Sequence, residues 1–261
     1  MNQLSLIDIL LCLIIYSFLG WCCESIYCSL AKGEWINRGF LTGPFCPIYG
    51  FGALITLYFL QYLPNSALIV FIGGLLLTST LEYVTSWLME KCFNARWWDY
   101  SKRPFNLNGR VCLLNSTLFG LMCLFLYYDV HPNIVTFLRY FNNDFKMGFL
   151  AAFMLYFVVD LTLAIRSALG INIRLKTVNQ LREQLIEKYG TIDNKLDLKQ
   201  LEKYLAEHNI RDDLSDKFKQ SIHQVNFFER RLMHSFPQLQ HHQYPKQLEQ
   251  LKEEAKHKNK Q

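Results

Sequence analysis

Five long apolar runs constrain this chain more than any other feature. They cover residues 4–23, 47–63, 67–88, 111–128 and 147–169. A helix needs about 20 apolar residues to cross the hydrocarbon core of a bilayer. Each run reaches that length or comes near it; the second and fourth are the shortest and are polar at their starts. Five such runs with so few breaks disfavour helices buried in a soluble core. The expected fold class is therefore all-α: a polytopic membrane bundle of five transmembrane helices with a cytoplasmic helical C-terminal tail. No Lys or Arg precedes the first run and no small-residue cleavage site follows it, so it is expected to remain as a span.

The charge is unevenly distributed. All five Trp and all eight Cys lie before residue 171, with only 10 of the 27 Lys and Arg. The last 91 residues hold the other 17, together with 13 of the 22 Asp and Glu. The apolar front thus carries +1 and the tail +4. A mixed-sign tail of this kind is no basic stripe, so no nucleic-acid partner is expected. The loops set the orientation. Lys32 and Arg38, then Lys91, Arg96, Lys102, Arg103 and Arg110, then Arg166, Arg174, Lys176 and Arg182 share one side, against Arg139 and Lys146 on the other. The expected placement is a multi-pass membrane protein with its N-terminus outside and its tail cytoplasmic. Every Cys falls in a span or near its inner end, so no disulfide framework is expected. Six of the seven His lie in the tail, which leaves no support for a metal or haem site in the membrane; no cofactor is expected.

Charged groups inside spans are costly and usually face protein, water or ligand. Glu82 lies within the third run, one helical face with Thr78 and Ser86. Asp160 lies near the middle of the fifth, with Arg166 too far along the helix to pair with it. Glu24 and Glu90 close the first and third runs, and Asn115 opens the fourth. Asp8 is expected to be solvated at the outer interface. The loop 33–52 has five Gly and two Pro in 20 residues and cannot form a regular helix. Asn37 and Arg38 are expected to dip from it toward a polar cavity. The loop 94–112 adds Trp97, Trp98 and Tyr100, suited to an interface belt, with Asn106 and Arg110. Together Glu24, Asn37, Arg38, Glu82, Glu90, Trp97, Trp98, Asn106, Arg110, Asn115 and Asp160 are the candidate binding set of a cytoplasm-facing cavity. The alternative for each acid is an ion pair that only holds helices together, with the cavity reading favoured for Glu82. No catalytic residue is assigned.

A faint repeat has an offset of 66. Trp21-x-x-Glu24, Gly43 and Cys46 match Trp87-x-x-Glu90, Gly109 and Cys112. If it is a duplication, spans one and two correspond to spans three and four in the same orientation.

Beyond residue 170 the chain is amphipathic through 245. Leu175, Val178, Leu181, Leu185 and Tyr189 predict a helix ending at Gly190. Leu198, Leu201 and Leu205 predict a second. Leu214, Phe218, Ile222, Val225, Phe228 and Leu232 predict a third, stopped near Pro237. The Lys-rich stretch 246–261 is expected to be disordered or loosely held on anionic lipid. No phosphate-binding Gly-x-x-x-x-Gly-Lys-Ser/Thr, His-Glu-x-x-His or Gly-x-Ser-x-Gly occurs, so the chain is not read as an ATPase or as a member of two common hydrolase classes.

Several blocks carry a resemblance: Gly20-Trp21-Cys22-Cys23-Glu24, the run Asn37 to Gly50, Leu81-Glu82-Tyr83, Trp97 to Ser101, Phe105 to Arg110, and Arg230 to Pro237 in the tail. In these the chain resembles the CmpB family of bacterial multispan proteins, labelled as type IV ABC-transporter or permease proteins. The resemblance implies a separate ATPase subunit and transfers no catalytic or substrate residue. The leading expectation is a permease component binding an anionic or lipid-like substrate, with membrane lipid, an ATPase subunit and a second copy of the chain as partners. Two alternatives stand beside it: an inner-leaflet lipid enzyme, and a non-transporting adaptor that recruits a partner through its tail.

Overall fold

The computed structural model describes residues 4–189, 196–210 and 212–258. The chain is mostly helical. Its described residues form two compact units by contact: residues up to Leu88 with Trp98–Ala164, and Met89–Trp97 with those from Ile165 onward.

In the first unit, α1 (Leu6–Lys32) starts where the Ser5 side chain accepts the Asp8 N–H and stops at Gly33, whose φ of 71° lies in the left-handed region. The irregular segment 33–46 leads to α2 (Pro47–Leu60), which opens on Pro47, where the missing N–H costs nothing. Leu57 and Ala53 of α2 share a buried cluster with Leu11, Cys12, Ile14 and Tyr16 of α1. The next helix, α3 (Ala67–Phe93), lies close to α2: a Cβ on Gly73 would meet Leu60, and one on Gly52 would meet Leu81. Residue order therefore runs opposite in α1 and α2, and opposite again in α2 and α3.

Three short strands follow: β1 (Ala95–Arg96), β2 (Asn106–Leu107) and β3 (Val111–Cys112), the last two paired antiparallel with Asn106 opposite Cys112. Then comes α4 (Leu113–Phe125), which does not end where the apolar run ends. A wide π turn over Leu126–Val130 carries it into α5 (His131–Leu138). The N–H of His131 bonds the Leu126 carbonyl, five residues back, and this wider turn accommodates Pro132. Residues 131–138, expected in an outside loop, are thus helical, and His131 Nδ1 meets the Tyr16 hydroxyl at 2.6 Å.

The fifth apolar run and the first tail helix are one element, α6 (Asn143–Tyr189), 47 residues long; Gly190, its expected stop, lies outside the described residues. Near its start Lys146 is buried, with Nζ 2.7 Å from Asp8. Asp8 is therefore ion-paired, contrary to its expected solvation. Among the described residues, four helical stretches are long and apolar enough to cross a membrane: Leu6–Leu30, Ala67–Phe93, Leu113–Leu138 and Asn143–Tyr189. The remaining expected span is helical only over the 14 residues of α2, roughly 21 Å at 1.5 Å per residue.

The second unit holds α7 (Leu198–Glu207), α8 (Asp213–His223), α9 (Phe227–Ser235), β4 (Gln240–His241) and α10 (Pro245–Lys258), with β1 paired to β4. The single helix expected over 214–232 is two. Asn226 caps α9 reciprocally with Glu229, and that local arrangement ends α8 before it. The stretch expected to be disordered forms α10 through residue 258; residues 259–261 lie outside the described set. Leu248 and Leu251 are buried, and the Lys252 ammonium donates to the carbonyls of Pro237 and Leu239 at 3.0 and 2.6 Å. Lysine here works as a tether, which composition alone reads as solvation.

Candidate functional site

The segment 33–46 is irregular because its hydrogen bonds run to side chains instead of to a helical ladder. Ser29 Oγ accepts the N–H of Ile36, and Ser25 Oγ accepts that of Arg38. Asn37 accepts from the Trp21 indole at 2.7 Å and donates to the Thr42 carbonyl at 2.9 Å. Cys46 Sγ donates to the Arg38 carbonyl. At the far end, Asp160 of α6 accepts the backbone N–H groups of Thr42 and Gly43 at 2.8 and 2.9 Å, and the Tyr156 hydroxyl at 3.2 Å. Glycine at position 43 permits this close approach: a Cβ there would run into the Tyr156 hydroxyl, and that side chain would have to move. The segment is thus held against α1 at one end and α6 at the other.

So placed, Arg38 meets Glu24 at 3.0 Å, with 14% and 25% of the two side chains exposed. Burial disfavours the Arg38 charge, but Glu24, with Cys28 and Tyr100 adding to it, holds the guanidinium above its ordinary value. Tyr49, at the start of α2, lies close enough to Glu24 to interact with it electrostatically. On α3, Glu82 is 7% exposed. The Tyr100 hydroxyl reaches its Oε1 at 3.4 Å, while Oε2 is buried with no hydrogen-bond partner among the described residues. Burial, with Glu82 and Glu24 close by, keeps the Tyr100 phenol protonated well above its usual range. One turn along α3, Ser86 accepts from Arg110 Nη1 at 3.3 Å, and the Arg110 guanidinium lies 5.7 Å from the Tyr83 ring centroid.

Of the candidate residues, Glu24, Asn37, Arg38, Glu82, Arg110 and Asp160 fall in this one polar network or in the loop it anchors. Asn106 is nearby but works as a loop organiser, accepting the Gly109 N–H and donating to the carbonyls of Ser101 and Arg103. Trp98 donates to the Arg110 carbonyl. Asn115 is half-buried in the first turn of α4. Two candidates belong elsewhere. Glu90 is in the second unit, 2.8 Å from His242 Nε2 and 3.8 Å from Arg96. Trp97 is buried in that unit and packs edge-on to Phe236 at 4.9 Å, so it is no interface anchor. Tyr49, Ser25 and Thr42 were missed: a tyrosine at a span start and small polar residues carry no distinct signal. A cavity of about 350 Å³ lies in the second unit, between Arg174, Thr177 and Leu181 of α6 and Lys217, Gln220, Ser221 and Gln224; no candidate residue lines it.

Apolar helices of spanning length around a buried polar network define an integral membrane protein of the helical-bundle class. The profile of the family described as "Putative ABC-transporter type IV", ABC_trans_CmpB, matches residues 11–165. The chain belongs to this family. No curated protein and no solved structure matches it.

Proposed function

We propose that this chain is the membrane component of a transporter, with the Glu24–Arg38–Glu82–Arg110 network as its polar binding site. One observation carries the reading: Glu82 is buried in a helix of spanning length with an oxygen that no hydrogen bond from a described residue satisfies. Such a group is costly in a membrane protein and marks a place where a ligand, a proton or water enters. Arg110 meets the same helix face one turn away, so acceptor and cation lie side by side. That pairing suits an anionic or lipid-like molecule that also carries a hydrogen-bond donor. The family name supports a separate ATPase subunit as partner.

The topology that goes with this has five crossings, the N-terminus outside and the tail in the bacterial cytoplasm. The support is that α1 and α3 both run opposite to α2, so a chain that crosses in α1 and α3 must return through α2 and the segments beside it. The excess of Lys and Arg at the inner ends favours the orientation. Cys46 and Cys112, 66 residues apart, each immediately precede a helix, which favours the duplication. A two-fold assembly would supply the spans that one copy lacks.

The test is purification in mild detergent from native membranes, with mass-spectrometric identification of retained chains and small molecules, for wild type and Glu82→Gln. An ATPase and a retained ligand are expected with wild type. The variant should keep its melting temperature within a few degrees and lose the ligand. Retention of the ligand by Glu82→Gln would remove the network as the site, and absence of any nucleotide-hydrolysing partner would remove the transporter reading.

A further inference from the structure

The loop between α3 and α4 carries a rigid, exposed tip. Tyr100 N–H donates to the Gly109 carbonyl at 2.8 Å, β2 and β3 pair across it, and Asn106 bonds three backbone groups within it. Asn108 ties it to the Tyr83 hydroxyl of α3 at 3.0 Å. On this scaffold Phe105 sits at a φ of 51°, in the left-handed region that disfavours an aromatic residue, and 82% of it is exposed. Leu107 is exposed beside it in sequence. A well-bonded loop that holds a phenyl ring outward on strained backbone is built to have that ring covered.

Two observations say by what. Lys102 and Arg103 immediately precede the tip and are exposed, so the apolar point is flanked by cations that complement anionic lipid phosphates. The Phe105 carbonyl also accepts the N–H of Leu113 at 3.2 Å. Leu113 is the first residue of α4, and Leu113, Leu114, Leu118 and Leu121 are exposed along that spanning helix. The tip therefore continues the surface that faces acyl chains.

We propose that residues 102–107 form an anchor on an anionic membrane surface. Phe105 and Leu107 enter the boundary between headgroups and acyl chains, and Lys102 and Arg103 pair with lipid phosphates. This rests on membrane insertion alone and is independent of the transporter reading.

The test places the photo-crosslinking residue p-benzoylphenylalanine at Phe105, or at Leu107 should the first position fail to fold, in the full chain. The protein is irradiated in native membranes and in nanodiscs of phosphatidylglycerol or phosphatidylcholine. Lipid adducts are expected in native membranes, with roughly tenfold more in phosphatidylglycerol than in phosphatidylcholine. The double variant Lys102→Glu/Arg103→Glu should abolish that preference with an unchanged melting temperature. An adduct to another polypeptide would make the tip a protein-docking surface and overturn the proposal. So would the absence of lipid adducts in phosphatidylglycerol, or equal yields in both lipids that ignore charge reversal.

Discussion

Asp160 accepts the backbone N–H of Gly43 at 2.9 Å, across 117 residues of sequence. With the Thr42 N–H and the Tyr156 hydroxyl, this gives a carboxyl group of a helix of spanning length three donors and, among the described residues, no cation. A carboxylate that accepts several backbone N–H groups can remain buried without an ion pair. The segment that carries Arg38 to Glu24 is fixed by this anchor at its far end.

Replacing Asp160 with Ala leaves two backbone donors without their acceptor. Each such loss costs about 1–3 kcal/mol. A loss of roughly 3 kcal/mol is expected in detergent unfolding, with faster protease cleavage within 33–46. Wild-type resistance to cleavage would show that the segment is held by other means.

Gly43→Ala places a methyl group 1.6 Å from the Tyr156 oxygen. Overpacking of this kind costs about 1–3 kcal/mol. Tyr156→Phe removes the clashing oxygen, so the double variant should recover part of the loss in a thermal melt. A double variant no better than Gly43→Ala would place the strain in the backbone.

Glu24 and Arg38 should show strong coupling. Removing one partner of a buried pair leaves the other charge stranded, which costs about 3–5 kcal/mol when burial is complete. Here the partial exposure of both side chains lowers the expectation to roughly 2 kcal/mol for Glu24→Gln or Arg38→Gln. The double variant should lose less than the sum. A double-mutant cycle with additive losses would mean that the pair is screened by solvent.

The second unit should weaken in mild acid. His241 is buried; its Nδ1 accepts the N–H groups of Gln243 and Tyr244, so Nε2 carries the proton donated to Asn172 at 2.9 Å. Burial, and then the neighbouring His242, lower its proton affinity below the ordinary value of 6.5. A group that resists protonation more when folded adds stability above its unfolded pKa, and that stability fades as pH falls through it. The melting temperature should therefore drop below about pH 6.5, and His241→Gln should flatten that limb. An acid limb that persists in the variant would assign it to another group.

The bundle was legible because apolar length is a local property. α1, α3 and α6 appear where their runs predict them, and the tail helices follow their leucine spacing. The departures come from contacts that a linear reading does not contain. The fourth span runs on to Leu138 because a π turn takes up Pro132. The 214–232 helix breaks because Asn226 and Glu229 cap each other. The Lys-rich end is ordered because two carbonyls hold Lys252.

For the candidate site, intramembrane acids could be singled out from cost alone, since hydrocarbon does not host a bare charge. Which of them meet could not. Glu24 and Glu90 close their runs with the same Trp-x-x-Glu, yet one pairs with Arg38 and the other with His242 and Arg96. A helical membrane chain was readable from residue order alone, because burial of about 20 apolar residues is additive along the backbone. The partners of Asp160 and Asp8 emerged with folding alone, because hydrogen bonds act over about 3 Å and here join residues that the chain separates by more than a hundred positions.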